Sequence, residues 1–84
     1  MLVIKRDNTK QKMDIYKIRT SIENAANDCD YPLVSSNLNI LVKEVTKKIK
    51  KRNEVSSREI KMIIYEVLRE YKFDKVAMSY LQGI

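Results

Sequence analysis

Histidine and tryptophan are absent from the 84-residue sequence, and cysteine, glycine and proline occur once each, as Cys29, Gly83 and Pro32. Each shortage removes chemistry. With no histidine and a single thiol there is no zinc finger, no histidine-based triad, no intramolecular disulfide and no thiolate cluster, and a tightly held protein metal site is not expected. With its one glycine at position 83, the chain can form neither a Walker loop nor a dinucleotide fingerprint. Carboxylates are not clustered either, so no side chain stands out as a general acid or base, and no enzyme is expected. No apolar run approaches the roughly 20 residues of a membrane span, which predicts a soluble protein. The lack of disulfides and of a signal-like apolar stretch behind Met1 fits a reducing cytoplasm.

What the chain has is positive charge, +6 in all. Residues 1–19 hold Lys5, Arg6, Lys10, Lys12, Lys17 and Arg19 against Asp7 and Asp14, a local excess of 6 − 2 = +4. A second group, "KKIKKR" at 47–52, adds five cations. Like charges crowded on a small motif gain little from water alone, so nucleotide, nucleic acid or an acidic protein are the natural partners.

Hydrophobic periodicity divides the chain. "LVIKR" and "KQKMD" read as short strands around the turn residues "DNTK", where Asn8 tolerates the positive φ of a tight hairpin. From Asp14, a helix cap, the period becomes helical, with Ile15, Ile18, Ile22, Ala25 and Ala26 on one face until "NDCDYP". A second helix is predicted from about Ser36, with caps offered by "SSN" and a stripe of Leu38, Leu41, Val42, Val45 and Ile49. Val55 marks a third short strand. "SSRE" then reads as a capping box, Ser56 to Glu59, opening a helix that buries Ile60, Ile63, Ile64, Val67, Leu68 and Tyr71. A last helix carries Phe73, Val76, Ala77, Tyr80 and Leu81. The expected fold is mainly α in one domain, 1–84, a small helical bundle with a tiny sheet at one end. Met13, Met62 and Met78 read as core filler, the five tyrosines as packing or boundary residues, and Cys29 as a residue without a role. A chain of this length buries only about 60% of its unfolded surface, so the core is small.

"VIKRDN", "MDIYKI", "VSSREI" and "VLREYKFDKVAMSYL", in this order and over essentially the whole chain, resemble the ATP-cone, the regulatory nucleotide-binding domain of many ribonucleotide reductases and of the repressor of their genes. The resemblance implies a four-helix bundle with a small N-terminal β-hairpin and a three-stranded lid, binding ATP or dATP between lid and helices, with Mg²⁺ carried by the nucleotide. It assigns Val3, Lys5 and Arg6 of the first strand, Gln11 and Asp14 of the second strand and its exit, Lys17 of the first helix, and Ser57 and Lys61 of the third helix as nucleotide contacts. Val3 and Lys5 do share a strand face, since side chains alternate with period two. Asn8 stands where the family has glycine, and the arginine that follows the last tyrosine in the family is missing from "YLQGI". The chain is expected to be a cone standing alone, with neither a reductase domain after it nor a zinc ribbon before it.

The function this implies is a nucleotide-responsive regulatory module, acting through homo-oligomer contacts or a regulated protein partner. Two alternatives stay open: a small basic nucleic-acid-binding protein, supported by the two cationic clusters, and a degenerate cone kept for protein interaction. Plainer uses of the same residues exist. Lysines on a hairpin edge block aggregation. "KKIKKR" reads first as a helix C-terminus stabilised by the macrodipole, with Ile49 continuing the buried stripe.

Overall fold

The computed structural model describes residues 14–52 and 54–82 in full, and the backbone alone of 2–4 and 10–12. Its order is β1 (Leu2–Ile4), β2 (Lys10–Lys12), α1 (Ile15–Asp28), α2 (Ser35–Lys50), β3 (Glu54–Ser56), α3 (Ser57–Glu70) and α4 (Asp74–Gln82). The turn expected at "DNTK" lies outside the described residues. The four helices pack as a ring in which α1 and α3 each lie against both α2 and α4. Their apolar stripes meet in one core that includes Ile18, Ile22, Leu41, Val45, Ile49, Ile64, Val67, Leu68 and Val76. Ala25, Ala26 and Ala77 are buried where α1 meets α4, small side chains that let the helices approach. There the Ser79 hydroxyl donates to the Ala25 carbonyl oxygen at 2.8 Å.

Local chemistry sets the helix starts. An Asp14 carboxylate oxygen accepts from the Tyr16 amide at 3.0 Å, capping α1. The capping box forms as read: the Ser56 hydroxyl oxygen accepts from the Glu59 amide at 3.1 Å while Glu59 accepts from the Ser56 amide at 3.5 Å. The caps expected from "SSN" do not form. The N-cap of α2 is Val34, with no side-chain bond, because the Leu38 amide already reaches the Val34 carbonyl and draws both serines into the first turn.

The helix stops are less usual. Two residues take left-handed backbone, Asp30 at φ 55° and Lys72 at φ 64°. Each closes a Schellman motif: Tyr31 donates back to Ala26 at 2.9 Å and Asp30 to Asn27, and Phe73 donates back to Leu68 at 2.8 Å and Lys72 to Arg69. The residues following the two stops, Tyr31 and Phe73, meet edge to face with ring centroids 6.2 Å apart. Glycine would hold such a position without steric penalty, but here aspartate and lysine do it.

Several expected core residues are not buried. Ile15 is 45% exposed, Met62 46% and Met78 53%, and Tyr71 and Leu81 are also exposed. Met62 and Met78 each stand one residue from a buried position, which turns them about 100° around the helix and off the core face. Ile15 is the first residue of α1, where a side chain leans back beyond the end of the helix. One core member was missed: Thr46 is buried, its hydroxyl satisfied by the Val42 carbonyl at 2.7 Å.

Urea denaturation will separate these roles. Leu68→Ala is expected to cost about 2–5 kcal/mol, against less than about 0.5 kcal/mol for Met62→Ala. Lys72→Gly is expected to raise stability by about 1 kcal/mol. A Lys72→Gly midpoint at or below the parent's would show that the left-handed stop is not strained.

Candidate functional site

The small sheet decides where α1 and α3 start. Its order is β2-β1-β3, with β1 antiparallel to β2 and parallel to β3. The backbones of Gln11, Val3 and Val55 form one row across it, and Val55 is sealed against the bundle at 1% exposure. From β2 the chain passes to the Asp14 cap of α1, and from β3 it runs straight into Ser57 at the start of α3. At ordinary strand spacing β2 and β3 lie about 10 Å apart on either side of β1, and they run antiparallel, so the chain leaves β2 beside Leu2 and leaves β3 beside Ile4: the two helix starts, each with a partial positive charge, lie toward opposite ends of β1.

On α1, Asp14 has one carboxylate oxygen engaged in its cap, and Lys17 is exposed in the first turn with no acidic partner among the described residues. On α3, Ser57 is the first residue, and Lys61 stands one turn on, half-buried and likewise without an acidic partner among the described residues. Val3 and Gln11 are described in backbone only, and Lys5 and Arg6 lie outside the described residues.

The second basic cluster divides. Lys48 pairs with Glu70 at 3.0 Å and Arg52 pairs with Glu59, which ties the end of α2 to α3. The hydrogen bond to Glu70 raises the Lys48 pKa above 10.5. Ile49 is fully buried, as its place in the stripe requires, while Lys47 and Lys50 are exposed. Among the described residues no group of histidine, cysteine, aspartate or glutamate can hold a metal ion, and no helix is long and apolar enough to cross a membrane.

Comparison with protein families matches the ATP cone domain over residues 1–82, so the chain belongs to the ATP cone family. Domains of this family are nucleotide-binding regulatory modules that take ATP or dATP. No curated protein matches the sequence.

Burial raises the pKa of the Tyr80 hydroxyl on α4 from 10.0 to about 12. The unfolded chain releases this proton near pH 10 and the folded chain near pH 12. Stability is therefore complete below pH 10 and falls as pH rises through that window. Urea midpoints of Tyr80→Phe are expected to decline less than the parent's between pH 9 and 11. Equal slopes for the two proteins would show that Tyr80 ionises as freely in the fold as out of it.

Proposed function

We propose that this ATP cone is a nucleotide sensor, a regulatory module rather than a catalyst, that takes ATP or dATP between its sheet and the starts of α1 and α3. The observation that carries the reading is the pair Lys17 and Lys61: two lysines without acidic partners among the described residues, one on the first turn of α1 and one on the second turn of α3, the helices that leave the two outer strands of the sheet. A triphosphate needs such groups, since each ammonium neutralises an oxygen directly and the helix amides add partial positive charge. The residues thus fit the nucleotide. Lys5, Arg6, Lys17 and Lys61 would hold its phosphates, and Val3 would floor its base. Gln11 and Ser57 would add polar contacts. Asp14, an acceptor by charge, suits a sugar hydroxyl and would repel a phosphate. Mg²⁺ would arrive on the triphosphate.

Binding would order the sheet against the helices and act by changing contacts with further copies or with a regulated protein. This requires the nucleotide to favour one arrangement over the other, because a ligand of equal affinity for both shifts nothing.

Calorimetric titration with ATP and dATP, each with Mg²⁺, is the test. Saturable binding is expected, weakened at least tenfold, or about 1.4 kcal/mol, in Lys17→Ala with Lys61→Ala and again in Lys5→Ala with Arg6→Ala. No heat, and no rise in melting temperature at millimolar nucleotide, would overturn the reading. Sedimentation with and without nucleotide then tests the output. An unchanged mass would remove self-association and leave a partner protein.

A further inference from the structure

A groove of about 450 Å³ runs along α2 beside the first turn of α1. None of its described lining residues belongs to the set proposed for the nucleotide. Ile15 and Val42 supply apolar surface, and Lys43, Lys47 and Lys50 supply charge. The lysines follow one another at four and three residues, so they rise on one face over about 10 Å of helix axis. No acidic side chain among the described residues pairs with any of them, whereas Lys48 and Arg52 of the same helix end are held by Glu70 and Glu59.

The chemistry of the lining narrows the occupant. The two uncharged polar residues of the groove are already engaged: the Thr46 hydroxyl donates to the Val42 carbonyl at 2.7 Å, and the Asn39 amide oxygen accepts from the Arg19 guanidinium. A nucleobase, which is recognised through precisely placed donors and acceptors, finds few here. A single strand of nucleic acid prefers aromatic platforms, and no tyrosine is among the described lining residues. On α3 of a second copy, two of the three glutamates, Glu59 and Glu70, are already committed to Arg52 and Lys48, which leaves Glu66 alone to face three lysines. What the groove offers is aliphatic surface edged by a ladder of ammonium groups.

We propose that this α1–α2 groove docks an amphipathic acidic helix of a partner protein, about three turns long, with carboxylates at three- and four-residue spacing facing Lys43, Lys47 and Lys50 and aliphatic side chains against Ile15 and Val42. This is recognition of a helix in a groove, with charge setting its register.

The test uses the 84-residue chain and fluorescence anisotropy. The probe is a labelled peptide of about 11 residues, glutamate and leucine in that pattern, beside a scrambled peptide of equal composition and an oligothymidylate of about 12 nucleotides. The patterned peptide is expected to bind at least tenfold tighter than the scrambled one. Lys47→Glu should weaken it at least tenfold, and Lys75→Glu, the same charge change on α4, less than twofold. Equal binding of the scrambled peptide, equal loss in Lys75→Glu, or tighter binding of the oligonucleotide through Lys47 would overturn the proposal. Titration of Lys47→Glu with ATP keeps the two readings apart. A parental nucleotide response with lost peptide binding supports the groove, and peptide binding by a chain that ignores nucleotide would sink the sensor reading alone.

Discussion

Among the described residues, Val55 is the one whose side chain fastens the sheet to the bundle. Three-residue strands cannot stand by themselves, and β3 has one buried side chain to contribute. That side chain lies under β3 where it joins α2 to α3. Its burial fixes β3, β1 pairs with β3, and β2 pairs with β1. The ion pair of Arg52 with Glu59 and the capping box of Ser56 with Glu59 hold the same junction from outside. One glutamate thus serves both as cap and as cross-link. The placement of the α1 and α3 starts on the two edges of the sheet, on which the nucleotide reading depends, follows from this chain of attachments.

The far end of the bundle is held in a different way. A chain with a single glycine at position 83 must stop its helices with other residues, and it does so at Asp30 and Lys72. Asp30 is the milder case, since a short polar side chain tolerates the left-handed region better than a long aliphatic one. The contact of Tyr31 with Phe73, which itself packs against the core, joins the two stops and holds the left-handed backbone in place.

The helical part of the fold was legible in the sequence because its signals are periodic and local. The stripes of α2 and α3, the Asp14 cap, the capping box and buried Val55 all follow from spacing and residue type. The misreadings at Met62, Met78 and Thr46 share a cause: amphipathic pattern gives a face, but tertiary packing decides how wide that face is. Met62 and Met78 lie one position off it and stay in water, whereas Thr46 falls inside it and is buried by satisfying its own hydroxyl. Of the candidate site, the residues remain a proposal that rests on the family pattern, while the starts of α1 and α3 are where the sequence put them. The division of "KKIKKR" was not legible. Whether a lysine meets a carboxylate depends on which helix lies alongside, so Lys48 and Lys47, adjacent in sequence, differ in partner.

The first turn of α1 is where the two proposed surfaces come closest. Ile15 and Lys17 are two residues apart, which sets them about 200° apart around the helix, on nearly opposite faces of a single turn. A phosphate held at Lys17 and an aliphatic side chain against Ile15 would grip that turn from both sides, and each needs it helical. The turn is held by the Asp14 cap and stands at a helix end, where fraying is easiest. Ordering it for one ligand lowers the entropic cost of binding the other, and the coupling is reciprocal: a nucleotide that tightens the groove for a partner is itself tightened by that partner to the same factor. Such linkage requires no rearrangement of the four helices, only that a short segment shared by two sites be incompletely ordered without either ligand.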